Sequence, residues 1–336
     1  MAKTAVLGAG SWGTALGLLL NENGHEVNLW EFDADQVEAV RRDHENRKFL
    51  PGVPVPDEIH ITSELGRALC EREAVVFAVP SHVVRGVARE ARSLVSPEAL
   101  VVNVAKGIEN GTLMRMSEVL SEELERPRAQ RIASLVGPSH AEEVSRKLPT
   151  VVVAAAQEEA TAVATRGLFM TDCFRVYTNT DLVGVELGVS LKNVIAIAAG
   201  ICDGLGYGDN TKGALMTRGL AEMTRLGVAM GGEPSTFAGL SGMGDLITTC
   251  ISTHSRNRYV GEQIASGKTL EQVLESMVMV AEGVRTTESA VALSQRHDIE
   301  MPITEQMHEV LFEDKSPRQA ISELMVREPK SETAGW

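Results

Sequence analysis

Aromatic residues and positive charge are both scarce in this chain of 336 residues. Aromatic side chains make up only 4% of the sequence, so there are few rings on which the bases of a single-stranded nucleic acid could stack. Lysine and arginine total 32 against 46 aspartates and glutamates, which gives a net charge of −14 that repels nucleic acid and anionic membranes alike. We therefore expect no nucleic-acid partner, and a small anionic ligand needs a local basic pocket.

Closely spaced cysteines and long apolar runs are also missing. The four cysteines lie far apart without a Cys-x-x-Cys pair, which argues against a disulfide framework and fits a reducing cytoplasm. No uninterrupted apolar run approaches the ~18 residues of a membrane span, and the N-terminus lacks the layout of a signal peptide. We expect a cytoplasmic protein with no membrane span and no metal site.

What is present is the composition of an ordinary folded protein in two parts. Hydrophobic residues make up 43% and charged residues 23% of the chain. At ~150 residues per domain, this length suggests about two domains. Because the sequence pattern changes near residue 180, we predict a first domain over residues 1–180 and a second over residues 181–336.

The first domain alternates short apolar runs with polar helical patterns. Residues 4–8 are typical of a buried strand, and residues 11–23 are typical of a helix with leucines along one side. A polar helix capped by Asp33 is predicted to run to about residue 47. Further strands are predicted at residues 25–30, 74–79, 100–104 and 132–136, with residues 151–155 and 175–177 extending the sheet. This α/β alternation predicts a doubly wound parallel sheet of the Rossmann type.

Beyond residue 180 the patterns are helical. Residues 183–201, 211–230 and 270–280 are rich in alanine, leucine and methionine and show no strand-like alternation. We therefore predict an all-helical C-terminal domain.

A glycine-rich turn follows the first predicted strand. Residues 8–13 read GAGSWG, match the pattern GxGxxG and open a helix, and Glu31 ends the second strand 18 residues after the last glycine. In this context Gly8 makes the turn, Gly10 lets the backbone approach a pyrophosphate, and Gly13 allows helix–strand packing. The pattern favours dinucleotide binding over the alternative, a glycine-rich turn in an ordinary α/β protein.

Lys192 stands alone in a nearly uncharged helical stretch, residues 188–200. A buried ammonium group is unfavourable unless something pairs with it. One interpretation is a lysine at a helix end that is salt-bridged or reaches solvent. The sharper hypothesis is catalytic, since desolvation lowers the pKa of a lysine towards neutrality, which suits a group that donates and accepts a proton.

Polar side chains suited to a phosphate lie further along the chain. Residues 255–258 read Ser-Arg-Asn-Arg and offer hydroxyl, guanidinium and amide donors within four residues. Asp245 stands directly after a glycine in the preceding segment. A solvated polar loop has a similar composition, so this cluster alone does not decide between the two.

Two segments of the first half place polar side chains after predicted strands. Lys106 follows the strand at residues 100–104, at the edge where open α/β sheets bind ligands. His140 follows the strand at residues 132–136, but we favour a surface histidine that opens a helix over a catalytic one. We expect lysine rather than histidine to act as the base.

Longer motifs resemble one known family. In chain order they are GAGSWGTAL (8–16), FLPGVPVP (49–56), AVPSH (78–82), AKG (105–107), GPSHAEEV (137–144), LKNVIAIAAGICDGLGYGDN (191–210), TRGLAEM (217–223), SGMGDLITTC (241–250), HSRNR (254–258), VAEG (280–283) and EMPIT (300–304). The chain resembles the bacterial glycerol-3-phosphate dehydrogenases that use NAD(P). The motifs span almost its whole length, and the long one around Lys192 is the most specific.

The resemblance implies an N-terminal Rossmann-type domain, a helical C-terminal domain, a substrate between them and often a homodimer. It also implies interconversion of sn-glycerol 3-phosphate and dihydroxyacetone phosphate with NAD(P), which supplies the backbone of membrane phospholipids. Lys192 matches the family's proton acceptor.

The site residues follow from the turn pattern and from the family motifs together. The substrate contacts are expected to be Lys106, Gly137, Ser139, Lys192, Asn193, Asp245, Thr249, Ser255, Arg256 and Asn257. The dinucleotide contacts are expected to be Gly8, Gly10, Ser11, Trp12, Gly13, Glu31, Phe32, Phe49, Pro80, Lys106, Ala141, Arg256, Val280 and Glu282.

The chain departs from the family after the second strand. Family members usually have a small residue followed by a basic one, whereas this chain has Glu31 and Phe32. A carboxylate there can accept hydrogen bonds from the ribose hydroxyls of NAD and meets like charge in NADP. We expect NAD or NADP as cofactor, with a preference for NAD.

Two other functions stay open. The 3-hydroxyacid dehydrogenases also combine a Rossmann domain, a helical domain and a lysine, but their motif is GxxxKxxxN, and Ala196 stands where it requires asparagine. A dinucleotide-binding redox sensor without turnover is disfavoured by the net charge of −14 and by the absence of a DNA-binding motif.

Overall fold

A computed structural model describes residues 1–125, 131–329 and 331–332. The contacts between residues divide the chain into two compact units. The first comprises Met1–Ala105 with Met116–Leu182, and the second comprises Lys106–Arg115 with Val183–Trp336. The segment 106–115, which follows a strand of the first unit in sequence, thus packs with the second unit.

The first unit is built on a sheet of eight strands among the described residues. They are β1 (Lys3–Leu7), β2 (Glu26–Trp30), β3 (Ile59–Thr62), β4 (Ala74–Phe77), β5 (Leu100–Asn103), β6 (Ile132–Val136), β7 (Thr150–Ala156) and β8 (Phe174–Asn179). Their order is β3-β2-β1-β4-β5-β6-β7-β8, so the strand order reverses at β1. Such a switch point is where open α/β sheets bind ligands, and the predicted Rossmann-type fold is confirmed.

The sheet differs from the prediction in two details. β7 runs antiparallel to β6, so the sheet is mostly rather than wholly parallel. β3 is missing from the predicted strands, because only two of its four residues, Ile59 and Ile61, are apolar. The central strands β4 and β5 are buried at every position, as expected for parallel strands covered on both faces.

Helices flank this sheet. They are α1 (Ser11–Glu22), α2 (Ala34–Asp43), α3 (Leu65–Leu69), α4 (Val84–Ala91), α5 (Met116–Glu123), α6 (Ala141–Val144) and α7 (Glu159–Phe169), with a 3₁₀ turn at Ser81–Val83. The side chain of Asp33 caps α2, as predicted, by accepting hydrogen bonds from the backbone N–H groups of Asp35 and Gln36. The helix ends earlier than predicted, because His44 has a left-handed backbone with φ of 50°.

The second unit is helical, as predicted. Its helices are α8 (Leu182–Gly204), α9 (Asp209–Ala229), α10 (Pro234–Phe237), α11 (Asp245–Ile251), α12 (Arg256–Ala265), α13 (Leu270–Glu275), α14 (Glu282–His297), α15 (Pro302–Phe312) and α16 (Pro317–Met325). A single π-helical turn, Leu240–Gly244, leads into α11. The helix predicted over residues 270–280 ends at Glu275.

The long helix α8 lies at the centre of the second unit. Its length and composition would allow it to cross a membrane, but 94% of its most apolar window is buried inside the protein. Leu187, Leu191 and Ile195 are at most 1% exposed and belong to the main core of this unit. The apolar character of α8 is therefore that of a core helix.

Glycines bring the segment 241–265 against one face of α8. A Cβ atom added at Gly188 would lie 2.9 Å from the carbonyl oxygen of Ser241, and one at Gly200 would lie 1.9 Å from that of Arg258. Only glycine permits such close backbone approach. Lys192 lies one helical turn after Gly188 and is thereby directed at the start of α11.

The segment 106–115 is anchored within the second unit. Ile108 is buried in the helical core, and its carbonyl oxygen accepts a hydrogen bond of 3.2 Å from Ser289 Oγ. Arg115 Nη1 lies 2.8 Å from Glu186 Oε2 of α8, and both side chains are buried. These contacts fix the segment that begins with Lys106.

Candidate functional site

The glycine turn of the first unit has the geometry of a phosphate cradle. Gly8 has φ of +110°, and a Cβ atom there would lie 2.9 Å from the carbonyl oxygen of Ala78. A Cβ atom at Gly13 would lie 1.8 Å from the carbonyl oxygen of Gly8, so α1 begins directly against the turn. Gly10 precedes α1 and offers no side-chain cap, which leaves the first N–H groups of this helix for a ligand.

Glu31 lies at the end of β2, beside this turn. Its Oε2 accepts a hydrogen bond of 3.2 Å from the backbone N–H of Ala9, and its Oε1 accepts one of 3.4 Å from that of Asp33. The residue is 6% exposed, and its burial raises the pKa of the carboxyl group against the effect of the two backbone bonds. Both carboxylate oxygens thus bond to backbone of the turn and of the loop before α2.

The other expected dinucleotide residues of the first unit surround the turn to different degrees. Trp12 is half-buried beside Phe174, with 6.5 Å between ring centroids, whereas Phe32 is 79% exposed. Phe49 is half-buried, and Lys48 Nζ lies 5.0 Å from its ring centroid. Pro80 is exposed and Ala141 is buried at the start of α6.

The remaining expected residues of the first unit follow β6. Gly137 has φ of +144°, and a Cβ atom there would lie 3.1 Å from the Cα of Val152, so this turn also requires glycine. Ser139 Oγ donates a hydrogen bond of 3.1 Å to the carbonyl oxygen of Gly137. His140 directly precedes α6, as expected, but it is half-buried and its Nε2 is buried, so it is not the surface histidine that the sequence predicts.

Two lysines share one carboxylate in the second unit. Lys192 Nζ lies 3.2 Å from Asp245 Oδ1, and Lys106 Nζ lies 2.8 Å from Asp245 Oδ2. Lys192 Nζ also donates a hydrogen bond of 2.5 Å to Thr249 Oγ1, which in turn donates to the carbonyl oxygen of Asp245 at 2.7 Å. The structure therefore brings together four of the predicted substrate residues from three separate parts of the sequence.

Burial and charge set the ionisation of this group. Lys192 and Asp245 are 4% and 2% exposed. Desolvation lowers the pKa of Lys192 to about 8, against the opposing effect of Asp245 and in the same direction as the neighbouring charge of Lys106. Desolvation acts to raise the pKa of Asp245, but the two ammonium groups outweigh it and hold that pKa below its usual range. One carboxylate therefore lies between two lysine side chains.

The π-helical turn positions Asp245 in this group. Leu240–Gly244 directly precedes α11, and a Cβ atom at Gly242 would lie 2.1 Å from the carbonyl oxygen of Phe237. The tight turn sets the start of α11, so that Asp245 and Thr249, one helical turn apart, both face Lys192. Single π turns of this kind occur frequently at functional sites.

A second chain of polar contacts links α8, α12 and α14. Asn257 Nδ2 donates a hydrogen bond of 2.9 Å to Asn193 Oδ1, and Asn257 Oδ1 accepts one of 2.9 Å from the backbone N–H of Gly283. Gly283 follows Glu282, the first residue of α14, and Val280 lies just before that helix. Three expected substrate or dinucleotide segments of the second unit are thus joined by one amide side chain.

The Ser-Arg-Asn-Arg cluster divides into two groups. Ser255 is buried and caps α12 by accepting a hydrogen bond from the backbone N–H of Arg258, and Arg256 is exposed at the start of that helix. The guanidinium of Arg258, in contrast, lies 2.7 Å from Asp203 and 2.8 Å from Glu262. Arg258 therefore joins α8 to α12 through two carboxylates.

Three residues of these sites escape the sequence analysis: Asn46, Arg115 and Glu186. Asn46 bonds to the glycine turn, and Arg115 with Glu186 anchors the segment of Lys106. The signal that could have found Glu186 is an acidic residue within an otherwise apolar helix, the same signal that indicates Lys192. Among the described residues, no group of three or more histidine, cysteine, aspartate or glutamate side chains could hold a metal ion.

Comparison with known proteins identifies one family. The family models for the N-terminus and the C-terminus of NAD-dependent glycerol-3-phosphate dehydrogenase match residues 3–162 and 181–322. Relatives from Pelotomaculum thermopropionicum and Salinibacter ruber, each named glycerol-3-phosphate dehydrogenase (NAD(P)+), are both 54% identical over 97% of this chain and 93% and 95% of their own.

A solved structure has the same fold. The glycerol-3-phosphate dehydrogenase of Coxiella burnetii superposes with a TM-score of 0.92 at 38% identity, covering 97% of this chain and 99% of that one. Both halves of the chain and its full length therefore match one family. The chain belongs to the NAD-dependent glycerol-3-phosphate dehydrogenase family.

Proposed function

We propose that this protein interconverts dihydroxyacetone phosphate and sn-glycerol 3-phosphate with NAD(P)H or NAD(P)+. The observation that carries the proposal is the buried ammonium of Lys192, held between Asp245 and Thr249 in a family whose named members catalyse this reaction. A lysine with its pKa lowered to about 8 is suited to giving a proton to a reduced ketone and to taking one from an alcohol.

The residues of the first unit fit the cofactor. The turn at Gly8 and Gly13 excludes any Cβ atom, while no described atom apart from chain neighbours lies within 4 Å of a Cβ built at Gly10. That open position and the uncapped N-terminus of α1 suit the pyrophosphate of NAD or NADP. When bound, the nicotinamide supplies or accepts the hydride. The further proposed contacts of the dinucleotide in the first unit are Ser11, Trp12, Phe32, Phe49, Pro80 and Ala141. Those proposed in the second unit are Lys106, Arg256, Val280 and Glu282.

Lys192 is the proposed acid in ketone reduction. As the carbonyl oxygen gains negative charge, the ammonium donates one proton to it, and in the reverse direction the neutral amine accepts that proton. Two of the three N–H groups of the Lys192 ammonium point to Thr249 and Asp245, which leaves the third for the substrate. The bond to Thr249 fixes the direction of the Nζ atom, and the carboxylate keeps the lysine mostly charged.

Lys106 adds a second positive charge to the same site. Its ammonium lies on the other oxygen of Asp245, so the two lysines stand on either side of one carboxylate. A fixed cation in a buried site stabilises the charge that develops on the substrate oxygen. Asp245 offsets the positive charge of both lysines when the substrate is absent, and it orients them when the substrate binds.

The phosphate is the proposed anchor of the substrate. Arg256, Ser255 and Asn257 stand in the first turn of α12 or at its cap, where the helix dipole also favours an anion. Gly137, Ser139 and Asn193 complete the proposed substrate residues. Binding a non-reacting group in this way holds the ketone in place for the chemical step.

One assay separates this function from the two alternatives. Oxidation of NADH or NADPH is followed with dihydroxyacetone phosphate, with unphosphorylated dihydroxyacetone and with a 3-ketoacid. Turnover that requires the phosphorylated ketone supports the proposal. Turnover with the ketoacid alone would instead support a 3-hydroxyacid dehydrogenase, and tight NADH binding with no turnover would support a redox sensor.

The biological setting is part of the same proposal. We infer a cytoplasmic homodimer that supplies glycerol 3-phosphate for membrane phospholipids, with residues 1–180 as the dinucleotide domain and residues 181–336 as the substrate domain. The 54% identity to the relatives named above supports this role. Loss of the gene product in the source cell should produce a requirement for added glycerol 3-phosphate, and sedimentation of the purified protein tests the dimer.

A further inference from the structure

Ala9 lies in the middle of the glycine turn, and each of the two peptide groups that flank its Cα is held by one side chain. Its N–H donates a hydrogen bond of 3.2 Å to Glu31 Oε2, and its carbonyl oxygen accepts one of 2.7 Å from Asn46 Nδ2. Glu31 is 6% exposed and Asn46 is 1% exposed. A turn between two glycines has wide backbone freedom, so these two bonds determine the orientations of two successive peptide planes, Gly8–Ala9 and Ala9–Gly10.

Asn46 has no freedom to turn its amide. Its Nδ2 also donates to Thr14 Oγ1 at 2.8 Å, while its Oδ1 accepts from Gln36 Nε2 at 2.9 Å and from the backbone N–H of Phe49 at 3.2 Å. These four bonds use the two donors and the two acceptor positions of the side chain. A rotation by 180° would place donors against donors at Gln36 and Phe49, so the orientation of the amide is fixed.

The two side chains belong to one closed ring of hydrogen bonds. Glu31 accepts from the backbone N–H of Asp33, Asp33 accepts from that of Gln36, and Gln36 donates to Asn46. Asn46 and Glu31 both bond to Ala9, which closes the ring. The start of α2 is therefore coupled to the glycine turn. Phe49, one of the expected dinucleotide residues, is attached to this ring through the hydrogen bond from its backbone N–H to Asn46.

We propose that Asn46 and Glu31 are positioning residues, which fix the two peptide groups flanking Ala9 and thereby aim the N–H groups at the start of α1 at the cofactor pyrophosphate. The pyrophosphate is common to NAD and NADP, so both residues support the two cofactors equally. Glu31 then affects cofactor binding only by holding the turn, and residues other than Glu31 determine the preference between NAD and NADP. This proposal rests on the proposed function only in taking a dinucleotide as the ligand.

The test is equilibrium binding of NADH and of NADPH to the full chain without substrate, followed by the fluorescence of the reduced nicotinamide. Asn46→Ala and Glu31→Gln are each expected to weaken both complexes by about tenfold, the effect of losing one or two buried hydrogen bonds. The ratio of the two dissociation constants should stay within about twofold of its original value. Gln36→Leu, which removes one bond that fixes the amide of Asn46, should weaken both complexes equally but less.

Asn23→Ala is the matched control. The Asn23 side chain also donates to two backbone carbonyl oxygens, those of Leu168 and Met170, but at the opposite end of α1. It should lower the melting temperature without changing either dissociation constant. If Asn46→Ala destabilises the fold too far for titration, Gln36→Leu and Glu31→Gln carry the comparison.

Two results would overturn the proposal. A change of tenfold or more in the NADH to NADPH ratio for Glu31→Gln would show that this carboxylate contacts the ribose. Unchanged binding in a folded Asn46→Ala protein would show that the Ala9–Gly10 peptide group needs no side chain to hold it. An unmutated protein that binds NADH but does not turn over dihydroxyacetone phosphate would contradict the proposed function and leave this proposal standing.

Discussion

The glycine turn of the first unit and the lysine group of the second unit (Lys106, Lys192, Asp245 and Thr249) are organised by different forces. The turn depends on shape and on hydrogen bonds to backbone, with Cβ atoms excluded at Gly8 and Gly13. The lysine group depends on charge, with two ammonium groups on the two oxygens of Asp245. A change of shape should therefore affect cofactor binding and folding, whereas a change of charge should affect the chemical step.

The two sites also differ in how far apart their residues lie in the sequence. Ala9 of the turn and its support Asn46 are 37 residues apart, whereas Lys106 and Asp245 are 139 residues apart. A local site can be predicted from one motif, but a distant contact requires the fold. The following substitutions test this comparison.

Replacing Lys192 with methionine should have the largest effect. Methionine keeps most of the side-chain volume but cannot donate a proton, and general acid–base groups contribute about 10²–10⁴-fold to rate. The kcat for reduction of dihydroxyacetone phosphate should fall by this factor, while the dissociation constant of NADH stays nearly unchanged. Steady-state kinetics and a cofactor titration on the same preparation measure both.

Lys268→Met is the control for this substitution. Lys268 is an exposed lysine of the second unit whose ammonium bonds only to Gln263 among the contacts described for it. Its replacement should leave kcat unchanged. A kcat for Lys192→Met close to that of the control would remove Lys192 from the proposed mechanism.

The sequence predicts the turn almost completely, because its requirements are local. Strand, turn, helix and the acid at the end of β2 all lie within one stretch of 30 residues, and glycine at residues 8 and 13 follows from backbone approach alone. The support from Asn46 could not be predicted in the same way, since an asparagine in a loop carries no periodic pattern.

The lysine group is only partly predictable. Lys192 is indicated by its charge within an apolar stretch, and Asp245 and Lys106 by their motifs. That one carboxylate lies between both lysines depends on the close approach at Gly188 and on the assignment of the segment 106–115 to the second unit. Neither feature leaves a signal in the spacing of residues along the chain.

Breaking the buried pair of Arg115 and Glu186 tests the anchor of Lys106. Glu186→Gln leaves a buried guanidinium without its carboxylate, and such a loss costs about 3–5 kcal/mol. We expect a marked fall in the melting temperature. The double substitution Arg115→Met with Glu186→Leu should restore most of the stability, because an apolar pair of similar volume replaces the ion pair.

The exposed pair of Arg131 and Glu98 provides the matched control. The side chains are 48% and 84% exposed, and pairs of this kind contribute only about 0–1 kcal/mol. Glu98→Gln should therefore change the melting temperature little. Equal shifts for Glu98→Gln and Glu186→Gln would show that the buried pair does not anchor the segment.

Arg256→Ala should act more strongly on the phosphate of the substrate than on the cofactor, its other proposed contact. A charge-assisted hydrogen bond contributes about 1.5–3 kcal/mol, which corresponds to a rise in KM of roughly 10- to 150-fold for dihydroxyacetone phosphate. The kcat/KM for unphosphorylated dihydroxyacetone should change little. Arg296→Ala, at an exposed arginine on α14, is the control, and an equal loss with both substrates would contradict the assignment.

Gly13→Ala and Gly10→Ala separate folding from cofactor binding within one turn. The added Cβ at Gly13 would lie 1.8 Å from a carbonyl oxygen, so we expect a loss of about 1–3 kcal/mol in folding free energy. At Gly10 no described atom beyond its chain neighbours lies within 4 Å, so the melting temperature should hold while NADH binding weakens. Thermal melting and NADH titration distinguish the two, and normal binding by Gly10→Ala would place the pyrophosphate elsewhere.

The smallest expected effect is a shift in pH dependence, and it tests the charges of the lysine group directly. Ketone reduction needs Lys192 as an ammonium, so kcat should fall as the pH rises through the pKa of about 8. Lys106 lowers this pKa and Asp245 raises it. Lys106→Met should therefore move this fall in kcat, the descending limb of the pH profile, to higher pH. Asp245→Asn should move the limb to lower pH, even though both substitutions also reduce the maximal rate.

The opposite directions make this test independent of the damage that each substitution does to binding. A purely structural loss lowers kcat at every pH and leaves the midpoint of the limb in place. Lys268→Met, which removes an exposed lysine, should leave both the rate and the midpoint unchanged. Limbs that move in the same direction in Lys106→Met and Asp245→Asn would mean that the titrating group is not Lys192, since one charge of each sign acts on that ammonium.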